Sequence, residues 1–373
     1  MAKLICKECK KEYSTDEKIW KCECGGLLDI DFKASFPIDK IKKRKPTMWR
    51  YREAIPIDKD ENIVSFGEGF TPLLEVDFNG KVVLIKQDQL FPTGSFKDRG
   101  ASVLVSKAKE LGIKRVVEDS SGNAGCAIAA YCAKAHIDCE IFVPADTSPA
   151  KIIQIESYGA KINKVIGSRE DVASAALVAA QKDYYASHSW NPFFFHGTKT
   201  FAFEICEQLG WKSPDTVILP VGNGTLLLGS FIGFNELQKA GIISSIPKII
   251  AIQSENCNPL YRAFKENLNE IPKIDKKDSL AEGIAIAEPI RGKEILNAVR
   301  KSKGDFIVVN DKEIKESLIE MCNKGFYIEP TSASTIAGIK KYLQNSNSNE
   351  LIASVFTGHG LKTPEKILKI FTE

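Results

Sequence analysis

No apolar run in this sequence reaches the roughly 18 residues that a bilayer-spanning helix needs. The opening residues, MAKLICKECK, hold no apolar stretch long enough for a secretory signal. Both absences point to a chain kept in the reducing cytoplasm, with no membrane partner. Charge of one sign is also missing. Lys and Arg number 51 against 48 Asp and Glu, a formal net charge of +3, which argues against a dedicated nucleic-acid surface. The short basic run Lys40 to Lys45 (KIKKRK) reads as a solvated helix face or arm. No internal repeat or low-complexity tract stands out. Histidine is scarce, with four in the chain. His359 is the most tempting of them, but it reads as a loop residue that steadies local backbone. The same caution covers His136, His188 and His196.

Cysteine is not scarce. In a reducing compartment the ten cysteines are thiols or metal ligands rather than a disulfide framework. Four of them, Cys6, Cys9, Cys22 and Cys24, form C-x2-C, twelve intervening residues, then C-x-C-G-G. Two thiolate pairs at the ends of a short hairpin can close a tetrahedral zinc site, and Gly25 and Gly26 let the backbone turn tightly around the sulfurs. The second pair is tighter than the commoner C-x-x-C, so a cluster that folds without metal remains the alternative. Four sulfur ligands leave no open position for catalysis, so the expected role is structural.

A chain of 373 residues is long for a single hydrophobic core, and two domains are expected. Met48 to Leu74 reads as an arm entering the main fold, with a turn at Gly67, Gly69 and Pro72. Strand-like and helix-like segments then alternate. Strands are expected at Lys81–Gln87, Arg115–Glu118, Cys139–Val143, Lys161–Val165, Thr216–Val221, Lys248–Gln253 and Leu351–Phe356. Helices are expected at Phe96–Leu111, Ala124–Ala135, Pro149–Tyr158, Ser168–Asp183, Leu226–Gly241 and around Asp311–Lys324. This rhythm predicts an α/β fold of crossover units on open, twisted, mostly parallel sheets with helices on both faces.

Three motifs carry chemistry. In PTGSFKDRG, Pro92 to Gly100, Lys97 sits between Phe96 and Asp98 at the start of a helix-like run. A lysine held partly dry there loses its proton more readily, and the free amine forms a Schiff base with an aldehyde. In VGNGT, Gly222, Asn223, Gly224 and Thr225 follow a buried strand and precede a helix, a geometry that binds a phosphate through backbone N–H groups. A structural turn is the plain alternative. In SSGNAG, Ser120 to Gly125, the same physics holds a carboxylate, and Asn123 can donate to a ring oxygen; a helix N-cap is the plain alternative. An aldehyde on a phosphorylated, hydroxylated ring describes pyridoxal phosphate. Thr357, after the apolar strand Ile352 to Phe356, can meet the pyridine nitrogen. A neutral hydroxyl there makes the ring a weaker electron sink, which suits elimination and replacement.

Together these residues resemble the fold-type II pyridoxal phosphate enzymes, the tryptophan synthase β-like group, and within them the threonine synthases. GEGFTPL (Gly67 to Leu73), PTGSFKDRG, SSGNAG, PVGNGT (Pro220 to Thr225), EPTSA (Glu329 to Ala333) and TGHGLK (Thr357 to Lys362) carry the likeness. The resemblance implies that Lys97 is the catalytic amine. It implies that Lys97, Asn123, Gly222, Asn223, Gly224, Thr225 and Thr357 hold the cofactor. Ser120, Ser121, Gly122, Asn123, Ala124 and Ser189 would bind the amino-acid substrate. It also implies a homodimer and, for a threonine synthase, the conversion of O-phosphohomoserine and water to threonine and phosphate.

One departure stands out. The family carries an asparagine–serine pair followed by N-P-x-R, whose arginine helps bind the substrate phosphate. Here His188 stands for the asparagine and Phe194 for the arginine. An aromatic ring cannot make the bidentate bonds of a guanidinium. Arg291, in EPIRGK, is a possible replacement cation. The departure keeps a threonine or serine dehydratase, or an O-phosphoserine-dependent β-replacement synthase of the cysteine or cysteate type, as alternatives. A pyridoxal phosphate-binding regulatory protein without activity is the third. The expected organisation is a zinc-ribbon-like segment at 1–35, a large α/β domain at 36–99 and 192–373, and a small one at 100–191, with the cofactor in the cleft between the α/β domains.

Overall fold

Strands and helices alternate along most of the chain in the computed structural model, which describes residues 2–147, 149–167, 169–347 and 349–372. The cysteine segment supplies β1 (Lys3–Cys6), β2 (Glu12–Ser14) and β3 (Leu28–Asp31), followed by α1 (Ile38–Lys43). A 3₁₀ stretch at Met48–Ala54 leads to β4 (Leu73–Phe78) and β5 (Lys81–Lys86). Next come α2 (Lys97–Glu110), β6 (Arg115–Glu118), α3 (Asn123–Ala135) and β7 (Asp138–Pro144). They are followed by α4 (Pro149–Ser157), β8 (Lys161–Val165), α5 (Arg169–Ala179) and β9 (Tyr184–Tyr185). Then α6 (Pro192–Thr198), α7 (Thr200–Gln208), β10 (Thr216–Pro220) and α8 (Thr225–Lys239) follow. The chain continues through β11 (Lys248–Ser254), α9 (Pro259–Lys265), α10 (Gly292–Lys301) and β12 (Asp305–Val309). It closes with α11 (Asp311–Asn323), α12 (Pro330–Leu343), β13 (Ile352–Val355) and α13 (Pro364–Thr372). Ser168, where a helix was expected to begin, lies outside the described residues; α5 covers the rest of that expectation up to Ala179.

The described chain divides into two units by contact. One joins residues 1–69 to 97–198, and the other joins 70–96 to 199–373. In the first, β1 pairs antiparallel with β2 and β3 in a three-stranded sheet. A second sheet of order β8-β7-β6-β9 is parallel throughout. Its core is apolar and continuous from Val116 and Ile141 through the small-residue helix α3, whose Ala127 to Cys132 are buried. Helix α2 is buried from Asp98 to Ala108, so its polar side chains need partners within the fold. Ser102 and Ser106 find them in the arm: Trp49 Nε1–H donates to Ser102 Oγ at 2.9 Å, and Val64 N–H donates to Ser106 Oγ at 2.8 Å.

The second unit is built on a six-stranded sheet of order β12-β11-β10-β13-β5-β4. All its pairings are parallel except β4 with β5. Parallel strands covered on both faces read as unbroken apolar runs rather than alternating ones. TVILP in β10 and IASV in β13 are buried at every position. Helix α12 packs on β10 to β13 and on α11. The start of α11 is set by a capping box: Asn310 Oδ1 accepts from Glu313 N–H, and Glu313 Oε2 accepts from Asn310 N–H, each at 2.9 Å.

Candidate active site

Parallel sheets present functional loops at the carboxyl ends of their strands, and each unit does this with neighbouring strands. In the first unit, β6 and β9 pair through Val116–Tyr184 and Val117–Tyr185. The loop at 119–122 therefore leaves the sheet beside the loop at 186–191. These are the loops that hold Ser120 to Gly122 and Ser189, while Asn123 and Ala124 open α3. Within the first loop, Gly122 N–H donates to Ser120 Oγ at 3.3 Å. A Cβ at Gly125 would lie 1.9 Å from the Ser120 carbonyl oxygen, so only glycine lets α3 start this close to the loop. The first-turn N–H groups of a helix have no acceptor within it and attract an anion. In the second loop, Ser187 and Ser189 share a 3.2 Å hydroxyl contact.

Lys97 opens α2, and its Nζ lies 5.8 Å from the centroid of the Phe194 ring. Phe194, where the resemblance implied an arginine, is fully buried. Its ring lies where a Cβ on Gly100 would be, 2.3 Å from Cε1, so α2 and α6 approach over a glycine. Phe194 is thus a core residue under the start of the lysine helix. His188 also touches this ring, edge-on at 6.0 Å between centroids, and its Nδ1 is 2.7 Å from Glu118 Oε1. The sequence reading missed this buried carboxylate partner. Asp119 was missed as well: its Oδ1 accepts from the Tyr185 hydroxyl at 2.9 Å.

In the second unit, β10 pairs with β13 through Thr216–Ile352 and Val217–Ala353, so the loops after both strands emerge together. The first carries Gly222 to Thr225 and the second carries Thr357. Gly224 adopts φ +72 as the residue before α8, and a Cβ there would meet Ile295 at 2.4 Å. At Gly222 a Cβ would fall 3.0 Å from Ile284 Cα. Gly224 is therefore required by the turn and by Ile295, and Gly222 by the segment packed on it; the turn ends at the N-terminus of the 15-residue helix α8. Thr357 is fully buried. Its hydroxyl donates to Glu329 Oε1 at 2.7 Å and lies 2.9 Å from Ser332 Oγ, which also accepts from Thr357 N–H at 2.8 Å. A Cβ at Gly358 would lie 2.5 Å from the Glu329 carboxylate carbon.

Lys97 follows directly on Phe96, whose N–H donates to the Thr357 carbonyl at 3.0 Å. His359 accepts from Leu361 N–H through Nδ1 at 3.2 Å and donates its own N–H to Gly94 O at 2.9 Å. It steadies local backbone. Arg291 is buried in the second unit, where its guanidinium holds Glu294 at 2.9 Å.

The sulfur atoms of Cys6, Cys9, Cys22 and Cys24 all lie within 4.8 Å of one another. Cys6 and Cys24 are 3.5 Å apart, as are Cys9 and Cys22. The Tyr13 hydroxyl, 3.0 Å from the Cys22 sulfur, draws that thiol down to about 6. At Cys24 the Gly26 N–H pulls downward, but the three neighbouring sulfurs outweigh it and push the thiol up to about 12. Gly25 takes φ +85, and a Cβ on Gly26 would press to 2.9 Å from the Cys6 sulfur. Four soft ligands at this spacing, with glycines cleared around them, fit a tetrahedral cation.

The sequence profile of a family described as pyridoxal-phosphate dependent enzyme matches residues 64–358. A threonine synthase of Methanocaldococcus jannaschii is 38% identical, with 99% of this chain and 95% of the relative covered. A threonine synthase of Methanosarcina acetivorans is 35% identical over 100% of this chain and 95% of its own length. Among solved structures, the processed form of threonine deaminase isoform 2 from Solanum lycopersicum has a TM-score of 0.71 at 21% identity, covering 93% of this chain and 92% of the other, which is a likeness of fold. The chain therefore belongs to the pyridoxal-phosphate-dependent enzymes, in the group that holds the threonine synthases.

Proposed function

We infer that this chain is a threonine synthase, a lyase that turns O-phospho-L-homoserine and water into L-threonine and phosphate. The observation that carries this reading is the likeness to threonine synthases over 99% of the chain. The lysine, substrate-loop and glycine-loop motifs all fall at helix starts or strand ends. Bound pyridoxal phosphate supplies an aldehyde and a ring that takes up the electron pair of the broken Cα–H bond. Lys97 would be the amine that holds the cofactor covalently, and its Nζ would carry protons at the substrate's carbons. Gly222 to Thr225 would hold the cofactor phosphate through main-chain N–H groups and the N-terminus of α8. Asn123 would donate to the ring oxygen, and Thr357 would meet the ring nitrogen. Ser120 to Ala124 and Ser189 bind the amino-acid substrate. In the net reaction the phosphate leaves Cγ as an anion and water adds its hydroxyl at Cβ.

The four-cysteine cluster supports a structural zinc ion, since its donors are all sulfur and none is spare for chemistry. We take the working form to be a homodimer in the cytoplasm. Among the described residues, no helix is long and apolar enough to cross a membrane.

Burial of Phe194 at the arginine position favours a second reading, in which the substrate carries no phosphate, as for a dehydratase. Product analysis separates the two. The purified protein is offered O-phosphohomoserine, O-phosphoserine, threonine and serine in parallel. Threonine and phosphate released from the first supports the synthase. An oxo acid and ammonia from the third or fourth, with the first untouched, replaces it by the dehydratase.

A further inference from the structure

Trp20 belongs to the cysteine segment, two residues before Cys22, yet its ring packs elsewhere. It meets Tyr185 edge-on, with centroids 4.9 Å apart and planes at 79°, and Trp190 at 5.4 Å and 89°. The ring is buried in a small cluster with Val117, Ala176 and Ala180, while the Lys21 ammonium lies 4.8 Å over it. Both aromatic partners stand at the bases of the loops described above. Tyr185 is the last residue of β9, and its hydroxyl donates to Asp119, the residue before Ser120. Trp190 directly follows Ser189. Burial, and then the nearby Asp119 and Glu118 charges, push the Tyr185 phenol well up, so it stays a donor to Asp119.

We propose that Trp20 is a positioning residue through which the four-cysteine segment braces both substrate loops, Ser120 to Ala124 and Ser187 to Ser189. The physical argument is one of degrees of freedom. A loop that binds an anion by N–H groups must hold several backbone dihedrals at once, and ordering each residue costs conformational entropy. An ordered base reduces what the substrate must supply on binding. Edge-on aromatic contacts stabilise beyond burial, and Trp20 makes two, to Tyr185 and Trp190 on either side of Ser187 to Ser189; it reaches the Ser120 loop through the Tyr185 hydroxyl on Asp119. The cysteine cluster in turn holds Trp20: Cys22 N–H donates to the Gly26 carbonyl at 3.0 Å, and the Tyr13 hydroxyl bonds the Cys22 sulfur. The segment thereby acts on substrate affinity without offering a group to the reaction.

This inference rests on the assignment of those loops to the substrate, and its test has two arms. The first needs no turnover: hydrogen–deuterium exchange of the full-length protein as purified, without substrate, read by mass spectrometry over peptides covering 117–125 and 186–191. Trp20→Ala is expected to speed exchange in both peptides and leave 216–225 unchanged, while Trp20→Phe restores most of the protection. The second arm is steady-state kinetics with O-phosphohomoserine. Trp20→Ala is expected to raise KM about tenfold with kcat within about twofold, and Trp20→Phe to return KM towards wild type. Borohydride-trapped cofactor at Lys97 should stay at the wild-type amount. Unchanged exchange in both peptides overturns the brace. So does a wild-type KM in Trp20→Ala, or equal loss of cofactor and fold in both variants. A wild-type protein that makes no threonine, but shows the exchange pattern, overturns the substrate reading and leaves the brace standing.

Discussion

The Thr357 hydroxyl gives its proton to Glu329, 2.7 Å away and 28 residues earlier in the chain. A hydroxyl has one proton and two lone pairs. With that proton committed, the 2.9 Å contact to Ser332 must run from Ser332 to Thr357. In this arrangement Thr357 keeps one acceptor lone pair, so donating to an unprotonated ring nitrogen requires its hydroxyl to turn from Glu329. Removing the hydroxyl leaves the buried carboxylate short of a donor, at a cost of about 1–3 kcal/mol. Thr357→Val is therefore expected to lower the denaturant midpoint of unfolding, and Thr357→Ser to restore it. Equal midpoints for the valine variant and wild type would show that Glu329 finds another donor.

Thr357→Asp would place a second carboxylate against Glu329. Two buried carboxylates in contact share a proton, because both cannot ionise cheaply. With a carboxylate at the ring nitrogen, the reaction profile is expected to shift towards side products, chiefly an oxo acid in place of threonine. Chromatography of the products checks this; an unchanged product ratio argues against Thr357 facing the ring.

Lys97 is the only route proposed for the covalent link. Lys97→Ala should give no borohydride-stable adduct and lower turnover by at least about a thousandfold. Peptide mapping of the reduced wild type should place the adduct at Lys97. Near-normal activity in the variant would remove the assigned role.

Gly224 combines φ +72 with a neighbour, Ile295, that a Cβ would overlap. Left-handed backbone costs a side chain about 1–2 kcal/mol before any clash. Gly224→Ala is expected to weaken cofactor binding at least tenfold and to lower thermal stability. Titrating the cofactor-free variant with pyridoxal phosphate tests the first, and a melting curve tests the second.

Glu110 ties the end of α2 to the arm: it accepts from Lys107 Nζ at 2.6 Å, Asp58 N–H at 2.8 Å and Lys59 N–H at 3.1 Å. Burial pushes its carboxyl up, but the Lys107 ammonium and the Lys59 and Asp58 N–H groups together outweigh it and hold the group below the usual carboxylate range. A depressed folded-state value means stability that is present above the unfolded carboxylate range and lost as pH falls through the folded value. Glu110→Ala should cost about 1–3 kcal/mol near neutrality, and the difference from wild type should shrink in acid. Urea unfolding at a series of pH values reads it directly.

Much of the strand and helix pattern was legible because it is local. Lys161–Val165 and Arg115–Glu118 read as strands and are β8 and β6. The glycine turn before α8 was legible because a left-handed backbone favours glycine. Edge strand β4 went unread at the end of the arm, although Leu74 to Phe78 alternates apolar and polar residues as a half-exposed strand does. Helix α6 was hidden because PFFFHGT is buried at every residue and so has no polar face to set a period. His188 was weighed without Glu118, which lies 70 residues away and reaches it only because β6 and β9 are neighbours.

Residue types and short spacings singled out Lys97, the glycine turn at Gly222 to Thr225 and the four-cysteine cluster, because each depends on a few consecutive dihedrals and on what a side chain can donate. Folding decided which distant groups meet: Thr357 with Glu329, Phe194 with Gly100, and Trp20 with Tyr185 and Trp190. Those pairings follow from strand order and helix packing, which depend on contacts far apart in the chain and leave no mark in the spacing of neighbouring residues.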